Sequence, residues 1–246
     1  MIVIHKKKGE MDSNRKTAII VGVLFIAATV GSSLYYVILD PILTAPDYLI
    51  KISENANHVI IGILLYLIDN AAVVAIPILL FPILKKYNEA LALGYVGSRI
   101  IESVTVIVGH ISLLSLMTLS QEYVKVAATD ASCFQALGAL LLSVIDWSHL
   151  VSVEIVFAVT PLILNYLLYK SKLIPRFISV WGLIGAIFLL MGGFLGMFGL
   201  GTNSEISIFS LLIFVQEMVF AIWLIVKGFN PSAIASGSAK TDTTLP

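Results

Sequence analysis

The chain has 246 residues, of which 59% are hydrophobic and 12% are charged, and its formal net charge is zero. Soluble proteins carry about 25% Asp, Glu, Lys and Arg because their outer layer faces water. The low charged fraction and a mean hydropathy of +0.99 therefore exclude a water-soluble fold, and most of the outer surface should face lipid. The single cysteine, Cys133, excludes an intramolecular disulfide and a cysteine-rich metal site.

Apolar stretches long enough to cross a membrane recur along the whole chain. A spanning helix needs about 20 residues to cross a hydrocarbon core of about 30 Å. In chain order the predicted spans are 17–39, 58–84, 90–119, 135–169, 177–198 and 206–226. The first is too long for a signal-peptide core, so we interpret it as a retained helix. The sequence predicts an all-α, polytopic bundle of six transmembrane helices over 17–229.

The ends of the chain differ in composition from the spans. Residues 1–16 are rich in Lys and Arg, and we expect them to form a cytoplasmic N-terminus. Residues 230–246 are rich in Ser, Ala, Thr and Gly. Such a composition buries little apolar surface, so we expect a disordered cytoplasmic tail.

Positive charge predicts the orientation of the spans, because Lys and Arg near a span resist translocation. If successive spans alternate in direction, twelve of the fifteen basic residues fall on one side of the membrane. The other side receives only Lys51 and Lys125, and the remaining one, Arg99, lies within the third span. We therefore expect both termini in the cytoplasm.

A weak internal repeat accompanies the basic turns. A proline near the end of a span, a basic turn and a pair of glycines in the next span occur over 77–97 and again over 161–185. Three two-helix repeats about an axis along the membrane normal would produce this pattern, and so would ordinary similarity between basic hairpins. Pro77, Pro82 and Pro161 fall inside the spans, and each predicts a kink because it removes one backbone hydrogen bond.

Several segments are specific enough to compare with a known family. They are 14–18 at the start of the first span, 84–102 through the second basic turn, 174–186 with Trp181-Gly182, and 216–229 at the end of the last span. Together they resemble the prokaryotic membrane-protein family catalogued as domain of unknown function 4386, over about residues 11–230. The resemblance implies six spans in this orientation in a prokaryotic plasma membrane. It implies no substrate, cofactor or catalytic residue, because the family has none assigned.

Three charged side chains lie at one level near the middle of the predicted bilayer. At about 1.5 Å per residue from the basic turns, Arg99 and Glu102 lie about 12 and 16 Å deep and Glu217 about 15 Å deep. Arg99 and Glu102 are three residues apart and so share a helix face. Because a charge at this depth costs roughly 2.5 to 3.5 kcal/mol, we predict a buried triad. It is either a binding or proton-handling site, or a structural ion cluster that fixes helix register.

Other polar residues of the spans are Asp69, Asn70 and Glu154, in the predicted outer half. Arg99 is the one basic residue at comparable depth, so acids outnumber bases. Hydrocarbon disfavours the charged form, and some of these carboxyls should therefore be protonated at neutral pH. A surplus of acids is what a proton relay or a cation site needs, although neutral carboxyls also hydrogen-bond between helices.

Near the outer interface lie His110, Asp146 and His149, with Asp146 and His149 one turn apart and His58 not far away. Two imidazoles and a carboxylate are the minimum for a catalytic zinc site. An intramembrane metal-dependent enzyme is therefore the alternative from another class. Because no His-Glu-x-x-His spacing is present, we expect ordinary interfacial polar residues, without a bound metal or other cofactor.

Small residues form one face of the fifth span, and Gly192 and Gly196 make a Gly-x-x-x-Gly motif. Such a face lets two helix backbones approach closely. It packs either within the bundle or, as the alternative, in a homodimer.

No phosphate loop, nucleophile elbow or nucleic-acid motif is present. The sequence thus favours a membrane protein without catalytic turnover, whose surroundings are the lipid bilayer and not nucleic acid. We expect it to bind or transport a small molecule or proton, of unknown identity, through Arg99, Glu102 and Glu217. A purely structural or accessory role is the third interpretation.

Overall fold

The computed structural model describes residues 2–125, 131–200 and 203–242, with side chains over 13–125, 131–200 and 208–236. Within these ranges the regular secondary structure is entirely helical. The helices are α1 Ile2–Leu43, α2 Tyr48–Glu54, α3 Ala56–Leu84, α4 Glu89–Tyr123, α5 Ala131–His149, a π-helix Leu150–Val156, α6 Phe157–Ser171, α7 Arg176–Met197, α8 Asn203–Val226 and α9 Pro231–Asp242.

Six segments of the described chain are long and apolar enough to cross a membrane. They are Ser13–Leu43, Ala56–Leu84, Glu89–Tyr123, Ala131–Ser171, Arg176–Met197 and Ile208–Val226. Each coincides with a predicted span, which confirms the all-α, multi-pass bundle. Large apolar side chains also cover the outside, for example Val37 at 72% and Ile101 at 58% exposure, as lipid contact requires. The cytoplasmic location of both termini and the three repeats stay predictions.

The spans form a closed ring in chain order. Each span packs against the next one, and the sixth packs against the first. Two large apolar cores, together with two smaller clusters, fill the ring. One contains Phe25, Leu80 and Tyr95 towards the basic turns, and the other contains Leu39 and Leu113 towards the opposite end.

Local sequence explains where several helices begin and end. α4 begins after Asn88, whose side-chain oxygen accepts a hydrogen bond from the Leu91 N–H at 3.0 Å, a common N-cap. α6 ends at Lys172, which has the left-handed φ of 57° that terminates many helices. α8 ends where the Arg15 guanidinium donates to the carbonyl oxygens of Leu224 at 2.8 Å and Ile225 at 2.6 Å. Arg15 thus joins the first span to the last.

Glycines of the fifth span face neighbouring helices of the same chain. A Cβ atom at Gly182 would meet the Asn165 side chain, and one at Gly193 would lie 2.9 Å from the Glu154 carbonyl oxygen. These glycines therefore serve close packing inside the ring. The homodimer through this helix stays a prediction.

Two helices lie where the sequence predicted connections or disorder. α2 occupies part of the connection between the first and second spans, with Leu49 and Ile52 buried. We expected disorder from residue 230 onwards, whereas α9 begins at Pro231, and Ala233 is buried in the core. The Tyr87 hydroxyl donates to the Ala233 carbonyl at 2.8 Å, and partial burial raises the pKa of Tyr87 to about 12, so this donor persists at neutral pH. Residues 243–246 lie outside the described chain.

Candidate functional site

A buried ion cluster lies between the two apolar cores. The Arg99 Nη1 atom lies 3.1 and 3.2 Å from the two carboxylate oxygens of Glu102, one turn later in α4. Its Nη2 atom lies 3.4 Å from Glu217 Oε1, which comes from the sixth span. The third and sixth spans are opposite members of the ring, so this contact crosses the middle of the bundle. The structure thus brings together the three residues that the sequence places at one depth.

The cluster is nearly sealed from solvent and lipid. The side chains of Arg99, Glu102 and Glu217 are 3%, 10% and 19% exposed. The Phe157 ring covers the guanidinium, with its centroid 4.8 Å from Arg99 Cζ, a favourable cation–π distance. Glu217 is the most exposed member of the cluster.

Two buried polar atoms beside the cluster lack partners. The Arg99 Nε atom and the Tyr95 hydroxyl, one turn earlier in α4, have no hydrogen-bond partner among the described residues. The two side chains do lie close enough for the Tyr95 hydroxyl to contact the Arg99 guanidinium, although not with good hydrogen-bond geometry. Most buried polar atoms in proteins are paired, so this spot offers a donor and a hydroxyl to a water molecule or another small polar group.

The second span adds a carboxyl and an amide. Asn70 accepts a hydrogen bond from the Ser103 hydroxyl at 3.1 Å, while its side-chain nitrogen has no partner within the described chain. Asp69, the preceding residue, lies close enough to Arg99 and Glu102 to interact with both charges. Asp69 and Asn70 therefore lie beside the ion cluster.

Glu154 belongs to a different site. It is 6% exposed and lies in the π-helix, where its carboxylate accepts a hydrogen bond from the Ser210 hydroxyl at 3.2 Å. π-Helical turns inside α-helices widen the backbone and often mark functional positions. Here the widened turn lies directly before Phe157, the residue that covers Arg99.

The two histidines of the metal alternative lie in an aromatic cluster, which we define as Tyr35, Tyr36, Tyr66, His110 and His149. His110 contacts Tyr66 edge to face, with ring centroids 4.8 Å apart, and His149 contacts Tyr36 at 5.7 Å. Asp146 is exposed.

The two histidines therefore pack against different tyrosines and do not converge with Asp146 on one point. Across the part of the chain that the structure describes, no three His, Cys, Asp or Glu side chains come close enough to hold a metal ion.

Sequence reasoning missed a second polar network. Gln216 is 1% exposed, and its side-chain nitrogen donates to Asn165 Oδ1 and to the Ile178 carbonyl, both at 3.2 Å. The Asn165 side chain in turn donates to the Pro161 carbonyl at 2.9 Å. The side-chain amides of Asn165 and Gln216 inside predicted spans were the sequence feature that could have indicated this network. This network holds the fourth, fifth and sixth spans together beside Glu217.

Comparison with known proteins adds one match. The family model described as "Domain of unknown function (DUF4386)" matches residues 20–228, which include all of the ion cluster. Comparisons with curated proteins and with solved structures gave no match.

Proposed function

We propose that this chain, which belongs to the family described as Domain of unknown function (DUF4386), conducts protons across the cell membrane through its ion cluster. The single observation that supports this is the surplus of acids around Arg99. Glu102 and Glu217 both contact the guanidinium, and Asp69 interacts with the same charges. A single positive charge, that of Arg99, thus faces three carboxyl groups inside the bundle, where an uncompensated charge is unfavourable.

The surplus of carboxyl groups favours the binding of protons at the site. If all three carboxyls were ionised, the cluster would carry two negative charges without compensation. Isolated ions in hydrocarbon are costly, so proton binding is the direct way to remove the excess. Glu217 is the best exchange point, because its contact to Arg99 is the longer of the two ion pairs and its side chain is 19% exposed.

The aromatic cluster supplies groups for a route towards the outer end. Tyr66 lies one turn before Asp69 in α3 and is close enough to interact with its charge. From Tyr66 the ring contacts continue through Tyr36 to His149, and the exposed Asp146 lies one turn before His149. Hydroxyl and imidazole groups both accept and donate protons, so they suit a relay.

The test uses the full chain in proteoliposomes that contain a pH-sensitive dye. A potassium gradient with valinomycin imposes a membrane potential, and the dye reports proton entry. Glu217→Gln removes the proposed exchange point and should reduce the flux to that of protein-free vesicles. Glu154→Gln is the matched control, because it changes a buried carboxyl that lies outside the ion cluster, and it should retain the flux.

A purely structural ion cluster predicts a different result. In that case the wild-type protein would give no more flux than empty vesicles, while Glu217→Gln would alter only its stability. Flux that persists unchanged in correctly folded Glu217→Gln would also overturn the proposal. Size-exclusion chromatography and circular dichroism of each variant identify any that fail to fold.

A further inference from the structure

A cavity of about 530 Å³ lies at the end of the bundle that carries the basic turns. One wall is the turn 172–176 between the fourth and fifth spans, and the other is the segment 227–231 after the sixth span. Two hydrogen bonds hold these walls together. The Asn230 N–H donates to the Leu173 carbonyl at 2.8 Å, and the Asn230 side chain donates to the Lys172 carbonyl at 3.4 Å. The cavity is therefore part of the folded chain.

The cavity wall is strongly cationic. Lys172, Arg176 and Lys227 all line it, and its described wall contains no carboxylate. The Arg176 guanidinium lies over the Tyr169 ring at 5.0 Å, a contact that uses its flat face and leaves its N–H edges for an anion.

The backbone adds positive potential at the same place. α7 begins at Arg176, and its N-cap residue, Pro175, provides no side-chain hydrogen bond to the first turn. The first N–H groups of a helix have no partner inside the helix, and the helix dipole is positive at this end. Of this first turn, Arg176 lines the cavity, whereas the Ile178 N–H donates to the Pro175 carbonyl at 3.2 Å. An anion in the cavity would therefore meet the basic side chains and the positive end of the helix dipole.

Trp223 closes the cavity on its apolar side. Its ring packs against the core, and it contributes to the cavity wall. The indole Nε1 atom is buried and has no hydrogen-bond partner among the residues that the structure describes. Because Trp223 lies in the cavity wall, its fluorescence reports on a molecule bound there.

We propose that this cavity binds the phosphate group of an anionic lipid. Phosphate accepts several charge-assisted hydrogen bonds at once, which matches a wall of lysines, an arginine and a helix N-terminus. The cavity lies at the ends of three spans, where lipid headgroups lie, and basic pockets between spans attract anionic headgroups. A soluble phosphate compound offers the same chemistry, so the test compares the two sources. This proposal is independent of proton conduction.

The experiment measures lipid binding through the fluorescence of Trp223. The full chain carries Trp147→Phe and Trp181→Phe, so that Trp223 is its only tryptophan, and it is titrated in detergent with phosphatidylglycerol whose acyl chains are brominated. Parallel titrations use brominated phosphatidylcholine, and a competition series uses inorganic phosphate and glycerol phosphate. We expect saturable quenching by phosphatidylglycerol and much weaker quenching by phosphatidylcholine.

The charge variants test the location of the site. Each lysine that contacts the bound headgroup should contribute about fivefold to the affinity for anionic lipid, so Lys172→Gln with Lys227→Gln should weaken binding roughly 30-fold. Lys85→Gln with Lys86→Gln is the matched control, because it removes the same charge from the same end of the bundle but outside the cavity. That control should change the affinity by less than about fivefold.

Three results would overturn the proposal. Equal losses in the two double variants would show general surface attraction. Displacement by glycerol phosphate at the same concentration as the lipid would identify a soluble ligand. Equal quenching by both lipids would show that the headgroup charge is not recognised.

Discussion

Replacing Arg99 by leucine should destabilise the protein more than any other single change in the ion cluster. The guanidinium is 3% exposed and lies within 3.4 Å of two carboxylates. Arg99→Leu keeps the apolar stem and removes the only positive charge, so Glu102 and Glu217 would face each other without compensation. Removing one partner of a buried ion pair costs about 3 to 5 kcal/mol, which lowers the equilibrium constant for folding by roughly two to four orders of magnitude.

The loss of folding free energy in Arg99→Leu should depend on the charge of the two carboxyls and on pH. The triple variant Arg99→Leu, Glu102→Gln and Glu217→Gln carries no charge in the cluster, and it should recover most of the lost free energy, because neutral replacement of a whole buried ion cluster is often tolerated. Protonation neutralises the remaining carboxyls of Arg99→Leu, so its deficit should shrink as the pH falls.

The assay is equilibrium unfolding in mixed micelles, in which the denaturing detergent fraction is raised and helix content is followed by circular dichroism. The free energy of unfolding of each variant is compared with that of the wild type at several pH values. A loss below about 1 kcal/mol for Arg99→Leu, the usual range of an exposed ion pair, would refute the description of this cluster as a coupled, buried unit. A triple variant less stable than Arg99→Leu would refute the claim that uncompensated carboxylate charge causes the loss of stability.

Two further predictions concern packing and the C-terminal helix. Gly193→Ala places a Cβ atom 2.9 Å from a carbonyl oxygen of the π-helix and should lower the free energy of unfolding by about 1 to 3 kcal/mol. Gly97→Ala has nothing within 4 Å of its Cβ atom and should be neutral or stabilising by about 1 kcal/mol. Thermal unfolding of both variants checks this, and equal effects would contradict it. Tyr87→Phe removes the hydrogen bond to α9 and should lower the free energy of unfolding by about 1 kcal/mol. It should also speed amide hydrogen exchange over 231–236. Unchanged exchange would show that this bond does not hold the helix.

The sequence predicted the spans well because their signal is local. About 20 consecutive apolar residues define a span without knowledge of its neighbours, and basic turns separate the spans clearly. Depth is equally local, since each residue adds about 1.5 Å, and this is why Arg99, Glu102 and Glu217 could be placed at one level. The contact itself needed the helices to face one another, which a single sequence does not reveal.

What the sequence did not predict depends on contacts between distant segments. α9 has a polar composition, and its burial at Ala233 depends on Tyr87 in another turn. His110, Asp146 and His149 share a level, but level does not fix the direction in which a side chain points, and the two histidines pack on different tyrosines. Nor did the sequence predict the π-helix, beyond the presence of Pro161 five residues after its end.

The hydrogen bonds from Arg15 to the end of the sixth span have a consequence for biosynthesis. The two partners are 209 residues apart in the chain, and at ribosomal speeds of about 5 to 20 residues per second the first helix waits about 10 to 40 s for the last one. The ring therefore cannot close before the sixth span has been synthesised. A chain that stops before residue 224 lacks the carbonyl oxygens that Arg15 binds, and its first span has no sixth span to pack against.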